Sequence, residues 1–236
     1  MKKVAVIGGG SAGILTVLHY LRWTDAEIDW YQDDNEEFSV AQGTNLIVPK
    51  LLWLNAGFGY EDLDKVNGTI KPGLIKENWG KKGTQYCDDY LPSMSSYHFD
   101  EHLFHQHMTD YITRNDKVTL LNKSVTADQV DADHVMVCTG QPTDLTDYNL
   151  SSYIPTNSIY VVRCYWQAPS FHRSLHVARK HGWVFGNPLR DRCDIGYVFN
   201  DHLTNVEELQ EDLDQLLFEY GLTKSNETKV DRKSVV

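Results

Sequence analysis

The stretch Lys3-Val4-Ala5-Val6-Ile7-Gly8-Gly9-Gly10-Ser11-Ala12-Gly13 decides the fold. Its first five residues suit a short buried parallel strand, which the glycines end at once. Ile14 to Trp23 continues as a helix with Ile14, Leu15, Val17, Leu18 and Leu21 on its apolar face. Glu27 to Tyr31 alternates as a second strand and runs into Gln32-Asp33-Asp34, completing a βαβ unit. Inside that unit, Gly8-x-Gly10-x-x-Gly13 has the spacing of a dinucleotide-binding turn. Gly8 permits the tight strand-to-helix turn, Gly10 lets backbone approach a pyrophosphate, and Gly13 allows the helix to pack closely on the strand. The helix start at Ser11 and Ala12 then turns N–H groups and the positive end of the helix dipole toward the phosphates. An acidic residue about 20 positions on should meet the ribose hydroxyls. Asp33 or Asp34 fits that position and Gln32 stands beside them, so the assignment among the three is open.

Further along, Asp100 to Ile112 is a helix candidate, and Lys117 to Leu121 and Ser124 to Val130 look like short strands. Asp133 to Val137 reads as another buried strand, ending in Cys138-Thr139-Gly140-Gln141-Pro142. A strand that ends in a small residue, Thr and Gly resembles one that recurs in flavoprotein dinucleotide folds, where backbone passes close to the cofactor, although an ordinary strand-to-loop turn also uses Gly and Pro. Together with the N-terminal turn it favours FAD over NAD and adds Thr139 and Gly140 to the cofactor-binding set. Ser158 to Gln167 and Gly196 to Phe199 are β-like. Asn205 to Tyr220 is an acidic amphipathic helix with Gly221 as its C-terminal stop. Thr223 to Val236 reads as a loose polar tail.

The 236 residues are 41% hydrophobic and 23% charged, an ordinary globular composition. No apolar run approaches the roughly 20 residues of a membrane helix, and Met1-Lys2-Lys3 leads into a strand rather than a signal peptide. The formal net charge of −11 repels a phosphate backbone, so no nucleic-acid partner is expected. Cys87, Cys138, Cys164 and Cys193 lie far apart and read as reduced thiols of a cytoplasmic protein. His98, His102, His105 and His107 cluster, and pairs of them could share a helix face. No carboxylate or thiolate completes a familiar ligand spacing, so no metal is expected.

Several segments, taken in order, resemble the flavin-dependent tryptophan halogenase family. Val6 to Gly13 is similar to the family's opening, and Ser39-Val40-Ala41-Gln42-Gly43-Thr44 to its flavin-contacting loop, with Gln42 where an acidic residue is usual. Val66-Asn67-Gly68-Thr69-Ile70-Lys71, followed by Asn78-Trp79, resembles the stretch that carries the family's catalytic lysine, which falls on Lys71. Tyr97-His98-Phe99-Asp100-x-x-Leu103 resembles an aromatic-His-Phe-Asp helix start, which gives His98 a role other than metal ligation. Gly182-Trp183-Val184-Phe185-Gly186-Asn187-Pro188-Leu189, with Gly196 to Phe199 after it, resembles the W-x-W-x-I-P signature, Phe185 standing for the second tryptophan and Asn187 for the isoleucine.

The resemblance implies an α/β fold: a Rossmann-like, glutathione-reductase-like FAD-binding domain interrupted by a β-rich substrate-side layer, with the C-terminal part of the family fold absent. The expected organisation is one discontinuous unit, with dinucleotide-binding pieces at 1–45 and 115–145, the substrate-side layer at about 46–114 and 146–222, and a tail at 223–236. It implies an oxidoreductase that takes reduced FAD from a separate flavin reductase. With O2 and halide ion as co-substrates it would halogenate an electron-rich aromatic such as tryptophan or indole through Lys71. Gly8, Gly10, Ser11, Ala12, Gly13, Asp33, Val40, Gln42, Thr139 and Gly140 would hold the FAD. No membrane partner is expected. The alternative is an FAD-binding protein, or a shortened monooxygenase-like relative, without halogenase activity.

Overall fold

The computed structural model describes residues 2–33, 40–91, 94–140, 144, 146, 148 and 153–231. Asp34, Ser39, Gln141, Pro142 and residues 232–236 lie outside the described residues. The chain divides into two compact units, each assembled from three separated segments. The fold is mixed α/β, as the sequence indicates.

The first unit comprises residues 1–39, 47–66 and 101–143. Its sheet contains β1 (Lys3–Ile7), β2 (Glu27–Gln32), β8 (Val118–Asn122) and β9 (His134–Val137) in the order β8-β2-β1-β9, every neighbour parallel. Helices α1 (Ser11–Trp23), α2 (Ile47–Ala56) and α3 (Glu101–Ile112) accompany it. Val4 to Ile7, Ile28 and Trp30 are buried in the sheet, and Ile14, Val17 and Leu18 bury the predicted face of α1. Pro49 sits in the first turn of α2, where its missing N–H breaks no helical bond. Ser124 to Val130 is not a strand: Thr126 and Gln129 form a reciprocal capping box, and Ala127–Gln129 winds into a 3₁₀ turn. Asp133 to Val137, read as buried, is the outer strand of the sheet, with Met136 and Val137 exposed.

The second unit comprises residues 40–46, 67–100 and 144–236. Segments 47–66 and 101–114, placed by the sequence reading in the substrate-side layer, therefore pack in the first unit with the dinucleotide strands. The second unit has a small sheet of β3 (Ala41–Gly43), β7 (Ser96–Asp100) and β4 (Thr69–Lys71), in the order β3-β7-β4. A seven-stranded sheet adds β5 (Gly73–Glu77), β6 (Gln85–Asp89), β10 (Ser158–Tyr165), β11 (Ser174–Arg179), β12 (Gly182–Pro188), β13 (Cys193–Phe199) and β14 (Thr223–Asp231). Its order is β14-β10-β13-β12-β11-β5-β6, antiparallel except where β11 meets β5. Helix α4 (Val206–Glu219) covers one face, burying Leu209, Leu213, Leu216 and Leu217 against Leu175, Val177, Val184, Ile195 and Tyr197. The Asn205 side chain caps α4 by accepting from the Glu208 N–H at 2.8 Å, worth ~1 kcal/mol.

The supposed loose tail is β14 over Thr223–Asp231. Its polar sequence hid this, but the free edge of β10 offers unpaired backbone groups, and an outer strand needs few apolar residues. No helix among the described residues is long and apolar enough to cross a membrane.

Candidate functional site

In the first unit the glycine turn is held by backbone. Gly8 N–H donates to the Tyr31 carbonyl at 2.8 Å, Cys138 N–H donates to the Ile7 carbonyl at 2.7 Å, and the buried Trp30 indole donates to the Gly8 carbonyl at 3.0 Å. Gly8 has φ +123°, and a β-carbon there would strike the Cys138 backbone. A β-carbon on Gly13 would strike the Gly8 carbonyl. Both glycines are thus demanded by the fold itself. Gly10 is different, since a β-carbon there meets nothing within 4 Å. It precedes α1, whose first turn carries no acidic residue and whose N-cap makes no side-chain hydrogen bond. The space beside Gly10 is open and lies at the N-terminus of a 13-residue helix.

A second observation suits a bound dinucleotide. Gln32 at the end of β2 lies against Gly9, and its buried Nε2 has no hydrogen-bond partner among the described residues. A buried amide donor of this kind costs ~1–3 kcal/mol unless a ligand oxygen accepts from it. Asp33 follows it, exposed, and Thr139 and Gly140 (φ +80°) continue exposed from Cys138 beside the turn. Ser11 Oγ lies 3.1 Å from His105 Nε2. These residues fit an FAD pyrophosphate and ribose. Gly8, Gly10, Ser11, Ala12, Gly13, Asp33, Thr139 and Gly140 all belong to this unit.

Val40, Gln42 and Lys71 belong to the second unit. Lys71 ends β4 opposite Ser96 of β7 and is 7% exposed. Its Nζ donates to the Thr44 backbone carbonyl at 3.0 Å, and no carboxylate pairs with it among the described residues. The same carbonyl accepts from Ser96 Oγ at 2.6 Å, so both its lone pairs are taken. Burial pushes the Lys71 pKa down. Thr44 and Asn45 directly follow β3, the strand that carries Gln42.

His98 is on β7 rather than on the helix of His102, His105 and His107, so the expectation of a shared helix face does not hold for it. It is fully buried, with Nδ1 3.1 Å from Thr69 Oγ1 and Nε2 2.9 Å from Ser174 Oγ. Thr69 Oγ1 also donates to the Pro188 carbonyl and Ser174 Oγ to Asn187 Oδ1, so the ring is tied through two hydroxyls to β12. Burial, followed by the charge of Lys71, pushes the His98 pKa down to about 3, so the ring is neutral. His176 is also depressed, by burial first and then by Lys71 and Lys76.

Strand β3 is anchored by Asn187 and by a buried charged pair that the sequence reading passed over. Asn187, standing where the signature has isoleucine, donates from Nδ2 to the Ala41 carbonyl at 2.9 Å and accepts from Ser174 Oγ at 3.0 Å. Buried Asp194 accepts from the Ala41 N–H at 2.7 Å and from Arg192 Nε at 3.0 Å, while Arg192 Nη2 reaches Asp100 at 2.8 Å. Burial raises the Asp194 pKa, and the Arg192 and Ala41 donors oppose that rise. The motif reading marked Asp100 and Asn187, and Gln32 was one of three candidates at the end of the second strand, but Arg192, Asp194 and Ser96 carry no local signal. They acquire meaning only from partners up to 153 positions away.

No family model matches the sequence, and no curated protein sequence matches it. Solved structures do. BrvH, a flavin-dependent halogenase from a Brevundimonas species, is 17% identical with TM-score 0.79, the match covering 98% of this chain and 62% of that one. A flavin-dependent halogenase from Xanthomonas campestris is 14% identical with TM-score 0.84, covering 98% and 62%. The tryptophan 6-halogenase SttH from Streptomyces toxytricini is 15% identical with TM-score 0.80, covering 98% and 63%. The chain therefore has the fold of the flavin-dependent halogenases and spans about three fifths of the length of these proteins.

Proposed function

We propose that the chain is a halogenase-like oxidoreductase that binds FAD at the Gly8–Gly13 turn and transfers halogen through Lys71 to an electron-rich aromatic ring. The observation that carries this reading is the state of Lys71 within a flavin-halogenase fold: an amine 7% exposed, held by one carbonyl and no acid. A lysine kept for charge would pair with a carboxylate, whereas a nucleophile needs its lone pair free.

The FAD fits the open space at Gly10, the α1 N-terminus and the unpaired Gln32 donor. When bound, reduced FAD from a separate reductase would supply the two electrons that take O2 to the peroxide level, the oxidant that converts halide to hypohalous acid. The protein does the rest. Thr44 fixes one Lys71 N–H, which aims the Nζ lone pair. Lys71 takes halogen from hypohalous acid, forming an N–halogen bond and releasing water, and then passes the halogen to the ring carbon. Neutral His98 beside it adds no positive charge, and burial keeps the oxidant from water.

The test is halide-dependent product formation with reduced FAD, O2 and indole. A halogenated indole that requires added bromide or chloride is the expected result. Bound yellow flavin without such a product would leave the chain as an FAD-binding protein only.

A further inference from the structure

Helix α2 has the composition of a buried helix. Apart from Lys50 and Asn55, every residue from Ile47 to Ala56 is apolar, yet only Leu52 of them is fully buried. At about 100° per residue, Ile47, Lys50, Trp53 and Leu54 fall on the face opposite Leu52. All four are exposed, Ile47 at 63%, Trp53 at 60% and Leu54 at 45%. A surface helix carries its charged and polar residues on that face, and here Lys50 is the only one. Trp23 at the end of α1 and Tyr60 just after α2, both more than half exposed and in the same unit, extend the apolar area. Apolar residues scattered singly over a surface need no explanation, but five gathered round one helix mark a contact surface.

Both tryptophans are held in place while exposed. The Trp23 indole donates to Asn55 Oδ1 at 3.1 Å, and the Arg22 guanidinium lies 5.6 Å from the Trp23 ring centroid. The Trp53 ring lies against Gly59, where a β-carbon would come within 3.2 Å of it. The same position is 3.1 Å from Glu61 Oε2. The Glu61 carboxylate therefore sits beside Trp53, past the C-terminal end of α2, while Lys50 stands one turn before Trp53. Among the described residues neither Lys50 nor Glu61 has an ion-pair partner. Aromatic side chains already fixed in this way lose little freedom when a partner covers them.

We propose that this face pairs with its own copy: α2 of two chains pack antiparallel about a two-fold axis, burying Trp53 and Leu54 between them and setting Lys50 of each chain against Glu61 of the partner subunit. A two-fold contact sets a surface against itself, so it needs apolar area in the middle and opposite charges at the ends that exchange. Helix α2 offers both, with a cation in its first half and an acid beyond its second. Antiparallel overlay of a helix ~15 Å long brings those ends together. The five apolar side chains expose on the order of 600 Å². Half-exposed Val48 and Leu51 and the charged rim bring this toward the ~800 Å² per partner of a stable interface. Two copies of net charge −11 repel on average, and the near balance of charge on this face lets them approach there. The pairing depends on neither FAD nor Lys71.

The test is sedimentation equilibrium of the full chain from ~1 to ~100 µM, the range in which an interface of this size can dissociate. A monomer–dimer equilibrium is expected. Trp53→Glu should melt like the wild type and weaken the dimer at least ~100-fold. Lys50→Glu and Glu61→Lys should each weaken it ~10-fold, since each charge pair occurs twice in a two-fold dimer. The double variant Lys50→Glu with Glu61→Lys restores opposite charges and should dimerise like the wild type. A monomer throughout the range overturns the proposal, as do open-ended aggregates in place of a dimer. A dimer indifferent to Trp53→Glu, or a double variant no tighter than the single ones, overturns it equally.

Discussion

Lys71 illustrates how a buried amine costs stability. Its burial disfavours the ammonium, so the folded pKa lies below the unfolded one. Between those two values the unfolded chain binds more protons, and stability rises with pH. Lys71→Met should therefore raise the melting temperature at neutral pH, with a gain that shrinks as pH climbs toward 10.5. Thermal melts from pH 6 to 10 check this, each unit of depression being worth about 1.4 kcal/mol. Ser96 governs the same amine from the opposite strand. Because it occupies the second lone pair of the Thr44 carbonyl, an ammonium at Lys71 finds fewer acceptors. Ser96→Ala should free that acceptor, raise the Lys71 pKa, and move the rising limb of Lys71 labelling by a reductive-methylation reagent to higher pH, with neutral His98 and His176 as the titratable groups nearby. Ser96→Thr should restore the wild-type limb; a purely structural serine would change melting alone. None of this is visible in the sequence, where a buried lysine and a surface lysine look alike. Only the resemblance singled out Lys71, and nothing marked Ser96.

At the scale of elements, the glycine turn was legible because its demands are backbone geometry. Gly8 and Gly13 serve the fold, whereas a β-carbon on Gly10 would meet only open space. Gly13→Ala should destabilise the chain by more than 1 kcal/mol (about 1–3 for overpacking against fixed backbone), read by denaturant melts. Gly10→Val should melt like the wild type yet lose FAD binding, read by flavin absorbance and tryptophan quenching. A Gly10→Val chain that binds FAD normally would remove the cofactor from this turn. Helix α4 was equally plain, since its leucines repeat at helical spacing and Gly221 ends it with φ +65°. Leu213→Ala, fully buried against the sheet, should cost ~2–5 kcal/mol in denaturant melts. Strand β14 was hidden because a polar segment becomes a strand only when an edge elsewhere recruits it, and residues 124–130 were misread because a capping box outcompeted their β-like pattern.

Across the whole molecule, the sequence shows how each unit begins but not how its segments assemble. Segments 47–66 and 101–143 return to the first unit and 67–100 to the second, an interleaving that no local pattern announces. The order of family-like segments along the chain nevertheless pointed to the flavin-halogenase fold, and the matched structures have that fold at 14–17% identity. The central claim is that an amine at position 71 carries the halogen. It is tested most directly by comparing wild type with Lys71→Arg, matched for FAD binding, in a reaction containing reduced FAD, O2, bromide and indole, with product read by mass spectrometry. A guanidinium keeps the charge but not a usable lone pair. The account predicts brominated indole from the wild type and none from Lys71→Arg. Equal product from both, or none from a flavin-loaded wild type, would contradict it.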